Sequence, residues 1–155
     1  MKKRIILTSE LPGERYKKLL NESGVEVKVL SREERKDIRS SVSSFDPEGL
    51  ITLLSDRINS DVIDAAPKLK VVSNYAAGFN NIDVLHCTKK GIVVTNTPDV
   101  LTDSTADIAI LLLLMASRRG YEGEKFTREG KFTGWEPDLF LGKSLKGKTF
   151  GIIGM

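Results

Sequence analysis

A run of ten residues, Asn74-Tyr-Ala-Ala-Gly-Phe-Asn-Asn-Ile-Asp83, carries the clearest chemical pattern in the chain. Ala76, Ala77 and Gly78 have almost no side chain, so their backbone N–H groups could close around a small anion such as a carboxylate. The asparagines and Asp83 that follow are residues that open helices, and a helix N-terminus adds a favourable dipole. The same composition also suits an ordinary tight turn from strand to helix, in which small residues and asparagines serve only the backbone. Residue types alone leave both readings open.

Two other stretches invite chemistry less strongly. Thr95 to Asp107 reads as a strand end, a crossing that contains Pro98 and the start of a helix, which is the composition of an interdomain hinge. Thr105 could place a hydroxyl at a cleft there, although spacing favours a bond to its own backbone. At the other end, Gly151-Ile-Ile-Gly154 reads as a strand running into glycine. Gly154 can be the first glycine of a dinucleotide-binding turn, but that fingerprint needs three glycines, a helix and a downstream acid. The only histidine, His86, sits in the middle of a helical pattern between Leu85 and Cys87 and is not read as an acid or base. No residue is assigned a catalytic or metal-binding role.

The bulk properties bound the partners. Cys87 is the only cysteine, which excludes an intramolecular disulfide and a cysteine-built zinc site and fits a reducing cytoplasm. Net charge is +3 and the isoelectric point about 9.0, yet the cations fall in scattered pairs such as Lys17 with Lys18 and Lys89 with Lys90, interleaved with acids. A nucleic-acid partner is therefore not expected. Lys2 to Arg4 followed by Ile5-Ile-Leu imitates a secretory leader, but Thr8 and Glu10 end the apolar stretch, so it reads as a first strand. The longest apolar run, Ile108 to Ala116, falls well short of the roughly 20 residues of a membrane span, and no membrane partner is expected.

The elements that must hold these residues alternate between β-rich runs and helical stretches, as in parallel βαβ units. Strands are expected at Arg4 to Thr8, Val25 to Leu30, Gly49 to Leu54, Lys70 to Asn74 and Ile92 to Thr95. Pro12 is expected to open a helix that ends near Gly24, Ser60 to cap one that stops before Pro67, and Asn80 or Asn81 to cap one from Ile82 to Lys90. Ser40, Ser41, Ser43 and Ser44 weaken any helix over Glu33 to Ser44. Five strands with four crossovers predict an α/β, flavodoxin-like doubly wound parallel sheet over residues 1–98. After Pro98 a helix opens at Thr102 to Ser104, with Ser104 and Asp107 at capping-box spacing, and runs through nearly unbroken Ile, Leu and Ala to Arg119. Apolar all round, it is expected to be buried against partners beyond a single sheet face, either a second domain or another subunit. From Tyr121 to Lys146 the chain is expected to form an irregular arm, followed by a turn at Gly147 and a buried strand from Thr149.

Taken in order, Asn74 to Asp83, Val94-Thr-Asn-Thr-Pro98, Leu101-Thr-Asp-Ser-Thr-Ala-Asp107 and Lys146-Gly-Lys-Thr-Phe-Gly-Ile-Ile-Gly-Met155 resemble the D-2-hydroxyacid dehydrogenase family. Within it the glyoxylate and hydroxypyruvate reductase branch is most similar. The resemblance covers essentially the whole chain and corresponds to roughly half of a family member. It implies a substrate domain over residues 1–98 and, over 99–155, the opening of a Rossmann cofactor domain that stops at its first glycine. It implies further that the N–H groups of Ala77 and Gly78 hold the carboxylate of a small 2-oxoacid, with Ala76 and Leu54 lining the pocket. Thr105 would face the nicotinamide side of the cleft, and Gly154 would begin the glycine motif for NAD or NADP. The helix after Pro98 would contribute to a homodimer. Two departures are Asn80, where the family usually carries Asp, and Asp99, where closely similar sequences usually have Gly, which bears on the local hinge conformation.

The family's catalytic arginine, glutamate and acid/base histidine are expected beyond Met155, so the chain is expected to be an enzyme fragment that is inactive alone. The competing expectation is a non-catalytic, flavodoxin-like binding or dimerisation module. An all-apolar helix after Pro98 argues against a free-standing domain.

Overall fold

Short runs of Val, Ile and Leu form five strands in the computed structural model, which describes residues 2–153: β1 Arg4–Leu7, β2 Glu26–Val29, β3 Gly49–Leu53, β4 Val71–Tyr75 and β5 Val93–Thr95. Every pairing is parallel and the order is β2-β1-β3-β4-β5. This is the flavodoxin-like order expected from the sequence, and it sends the loops after β3 and β4 to one end of the sheet, where ligands bind in such folds.

Five helices connect and follow these strands: α1 Arg15–Glu22, α2 Arg32–Lys36, α3 Ile38–Phe45, α4 Ser60–Asp64 and α5 Val84–Lys89. The register aligns Ile6, Leu50 and Val72 across β1, β3 and β4. These three pack with Ile38 and Val42 of α3, Val62 and Ile63 of α4 and Cys87 of α5. Burying each such aliphatic side chain contributes about 1.5–3 kcal/mol, so this one cluster dominates the stability of the sheet. On the opposite face Ile5, Ile51 and Val71 are half-buried and Val93 is exposed.

The helix starts differ from expectation in instructive ways. Pro12 does not open α1, because Gly13 follows with a φ of +84°, a conformation that cannot enter a right-handed helix. Asn59 rather than Ser60 caps α4, its side chain accepting from the Val62 N–H at 3.2 Å. Asp83 rather than Asn80 or Asn81 caps α5, accepting from the His86 N–H at 2.9 Å. The Asn81 side chain is engaged elsewhere, as described below. The serine-rich stretch divides into α2 and α3. Ser31 and Glu34 form a reciprocal capping box on α2, and Asp37 caps α3 through the Ser40 N–H. Ser41 and Ser44 return their hydroxyls to the carbonyls of Glu34 and Ser41, which satisfies these polar groups within the fold.

Contacts divide the chain into two compact units, the second beginning at Leu101. It contains α6 Thr102–Arg118 and α7 Gly120–Arg128, separated by Arg119 at a left-handed φ of +56°. Three expectations are corrected here. Ser104 and Asp107 form no capping box, since α6 already begins at Thr102 with Leu101 in the cap position and no side-chain cap bond. Ile108, Ile110, Leu111, Leu112 and Leu114 of α6 are each roughly half exposed, because among the described residues of its own unit only α7 and the following arm lie against this helix, which leaves the partner expected for it still to be supplied. Residues 121–128, expected to begin an irregular arm, are helical. The ion pairs Glu124 with Arg128 and Lys125 with Glu129, each four residues apart, support that short helix, and Phe126 packs edge-to-face on Phe140 at 5.1 Å between ring centroids. Thr149 to Ile153 is exposed and forms no strand, since the described residues of this unit include no other strand to supply ladder bonds. Gly154 lies outside the described residues. No helix of the described residues is long and apolar enough to cross a membrane.

Candidate functional site

The site is built where β3 and β4 end side by side, in the register Thr52 with Asn74 and Leu53 with Tyr75. Thr52 and Asn74 are polar residues at the ends of otherwise apolar strands, and both are buried. The Thr52 hydroxyl donates to Asn74 Oδ1 at 2.9 Å. Asn74 Nδ2 donates to the Gly78 carbonyl at 2.7 Å and to Asn81 Oδ1 at 3.0 Å. Asn81 Nδ2 in turn donates to the carbonyls of Leu53 and Asp56 at 3.1 and 2.9 Å. This closed network ties the loop after β4 to the loop after β3, and it is stable because each buried polar atom in it has a partner.

A second pin holds the β3 loop from the other end. The buried carboxylate of Asp56 accepts from the Leu53 N–H at 2.7 Å, from the Thr8 hydroxyl and from Arg35 Nε at 2.6 Å. Arg35 Nη2 also donates to the Ser55 hydroxyl at 2.6 Å. Leu54 therefore projects from a loop fixed on both sides. Its Cδ1 lies 3.6 Å from the point where a Cβ on Gly78 would stand. Gly78 is not in the left-handed region, so glycine supplies open space here rather than a special backbone conformation.

Along residues 76–78 every carbonyl is engaged. Ala76 accepts from the Thr97 N–H at 2.9 Å, Ala77 from Asn96 Nδ2 at 2.7 Å, and Gly78 from Asn74 as above. The N–H groups of Ala77 and Gly78, by contrast, meet no acceptor among the described residues. Both residues are exposed. Two free, adjacent amide donors beside an apolar side chain are an arrangement that can hold a small anion with an apolar flank.

Residues 5–147 match the family described as D-isomer specific 2-hydroxyacid dehydrogenase, catalytic domain. The chain belongs to this family. It is 45% identical over 160 aligned positions to a glyoxylate reductase of Pyrococcus horikoshii, a match covering 100% of this chain and 47% of that protein. It is 42% identical to a glyoxylate reductase of Thermococcus onnurineus, over 99% of this chain and 47% of that protein. The chain thus spans about half the length of the curated relatives it matches. Among solved structures it is similar to a protein of Thermus thermophilus, with a TM-score of 0.80, 37% identity and coverage of 90% of this chain and 44% of that one. It also resembles an NADPH-dependent glyoxylate/hydroxypyruvate reductase of Sinorhizobium meliloti in complex with NADP and malonate, with a TM-score of 0.70, 31% identity and coverage of 88% and 42%.

In this member of the D-isomer specific 2-hydroxyacid dehydrogenase family the fold brings together Leu54, Ala77 and Gly78, while Ala76 is buried. Thr105 stands exposed in the first turn of α6, its N–H bonded to the Leu101 carbonyl at 2.9 Å. The described residues of the second unit form no sheet. His86 is engaged with Asp64 at 2.8 Å on the neighbouring helix. Lys90 shares that carboxylate, and the hydrogen bond from Lys90, followed by that from His86, holds Asp64 below the usual carboxylate range. Burial pushes the Cys87 thiol up, away from a reactive thiolate.

Sequence reasoning did not single out Thr52, Asp56, Arg35, Asn81 or Asn96 as supports of this site. The one available signal was a polar residue at the end of each of two apolar strands. It becomes specific only once β3 and β4 are known to pair in register.

Proposed function

We propose that the intact protein reduces a small 2-oxoacid of the glyoxylate or hydroxypyruvate type with NADH or NADPH. Residues 1–98 serve as its substrate domain and residues 99–155 begin its cofactor domain. The observation that carries this reading is the pair of unpartnered N–H groups on Ala77 and Gly78, beside Leu54, in a chain of this family. Each amide donates to one carboxylate oxygen of the oxoacid, charge-assisted bonds stronger than those to neutral acceptors. Leu54 provides an apolar wall, with Ala76 packed behind the loop. Thr105 faces the nicotinamide side of the cleft and Gly154 begins the phosphate-binding glycine turn. The cofactor's hydride chemistry belongs to parts of the protein outside the residues described. The names of the relatives, and the malonate bound to the Sinorhizobium meliloti enzyme, support a small carboxylate as substrate.

By this reading the chain of 155 residues binds an oxoacid but does not turn it over. The exposed aliphatic surface of α6 is covered by a second copy in the intact homodimer, and the protein works in the cytoplasm. The competing reading, a non-catalytic binding or dimerisation module, draws support from the self-contained core of the first unit.

Both are tested by titrating the 15N-labelled chain with oxamate, an unreactive 2-oxoacid analogue. Saturable shifts centred on the Ala77 and Gly78 amides are expected. A response confined to other residues would falsify the carboxylate assignment. No reduction of glyoxylate with NADH or NADPH above background is expected from this chain, and measured turnover would overturn its assignment as inactive.

A further inference from the structure

The two free donors are aimed from outside their own loop. A peptide unit is planar and trans, so its N–H points opposite to the carbonyl oxygen of the preceding residue. The described residues contain no cis peptide bond. The Gly78 N–H therefore belongs to the same rigid plane as the Ala77 carbonyl, which is held by Asn96 Nδ2 at 2.7 Å. The Ala77 N–H shares its plane with the Ala76 carbonyl, which is held by the Thr97 N–H at 2.9 Å. Both holding groups lie on the segment leaving β5. That segment is itself anchored to β4, where the Thr95 hydroxyl donates to the Ser73 hydroxyl at 2.9 Å.

The two supports differ in kind. Thr97 contributes a main-chain N–H that any residue except proline would supply. Asn96 contributes a side-chain amide, and an acceptor-only or apolar residue there would leave the Ala77 carbonyl unheld. We propose that Asn96 is a positioning residue: by holding the Ala77 carbonyl it sets the direction of the Gly78 N–H, and so the affinity and orientation of the bound carboxylate. The proposal rests on reading residues 76–78 as a carboxylate cradle. It gives a function to a segment whose sequence suggested only a hinge. It also makes the cradle a joint product of the β4 and β5 exits, so a shift of residues 96–97 re-aims both donors.

Two measurements on the labelled 155-residue chain and its Asn96→Ala variant test this. Without ligand, residual dipolar couplings report the direction of each N–H. The Gly78 coupling is expected to change in Asn96→Ala while those of Leu50 and Val72 in the core stay the same. Asn96→Asp, which keeps the size and removes the donor, is expected to act alike. An unchanged Gly78 coupling in both variants overturns the proposal. In the oxamate titration, Asn96→Ala is expected to bind about three- to tenfold more weakly, the effect of losing one aligned hydrogen bond, with an unchanged melting temperature. Equal affinities overturn the proposal as well. A wild-type chain whose Ala77 and Gly78 amides ignore oxamate overturns the cradle reading and the affinity claim. The dipolar couplings then still decide whether Asn96 orients the peptide.

Discussion

Asn74 illustrates how much one buried side chain can carry. It bonds the Thr52 hydroxyl, the Gly78 carbonyl and the Asn81 side chain at once. Asn74→Ala strands these groups in a buried site, and a loss of about 2–4 kcal/mol is expected by urea denaturation, larger than a typical single-residue effect. Gly78 presents the opposite case. A Cβ there meets only Asn80 Oδ1 and Leu54 Cδ1, both at ordinary contact distances of 3.6 Å, so Gly78→Ala is expected to fold with a stability change under about 1 kcal/mol. Because that methyl group occupies the space beside the free amides, the variant is nevertheless expected to bind oxamate more weakly. A large drop in melting temperature would instead make Gly78 a folding requirement.

At the scale of elements, α2 owes its existence to end effects, since it has five residues and none is buried. Glu34 accepts from Lys28, the largest influence, and from Ser31, and these bonds lower its carboxyl from an ordinary 4.5 to about 2. A carboxylate whose pKa is lowered by folding stabilises the fold at pH values above its unfolded pKa. That contribution is lost as pH falls through the folded value. Glu34→Gln is accordingly expected to melt below the wild type near neutral pH, and the difference to shrink as pH falls from 4.5 towards 2. Equal melting temperatures across this range would mean that the box and its Lys28 pair do not stabilise the fold. The consequence reaches the site, because Arg35 of the same helix pins Asp56 and with it the loop carrying Leu54.

For the whole molecule, the main physical tension is the exposed aliphatic surface of α6. Contiguous apolar surface of this kind favours association. Concentration-dependent self-association is therefore expected in analytical ultracentrifugation, and Leu112→Glu is expected to shift the chain towards monomer. The variant's first unit is expected to keep its stability, since Leu112 lies outside the core built on Ile6, Leu50 and Val72. A wild-type chain that stays monomeric at all concentrations would remove α6 as an interaction surface.

The sequence by itself determined the strands, the parallel alternation and the loop at residues 76–78. Each rests on local properties: apolar runs, turn residues and small side chains read directly along the chain. Local properties also misled. Thr149 to Ile153 has strand composition without a neighbour to pair with among the described residues of its unit, and the uniform apolarity of α6 calls for a partner without saying which. Only the tertiary structure decided which amides are free and what aims them. That outcome depends on bonds between residues far apart in sequence, such as Thr52 with Asn74 and Asn96 with Ala77, which form only when parallel strands come into register. Spacing along a chain encodes periodicity, whereas the direction of a peptide N–H is fixed by whatever holds the carbonyl on its other side.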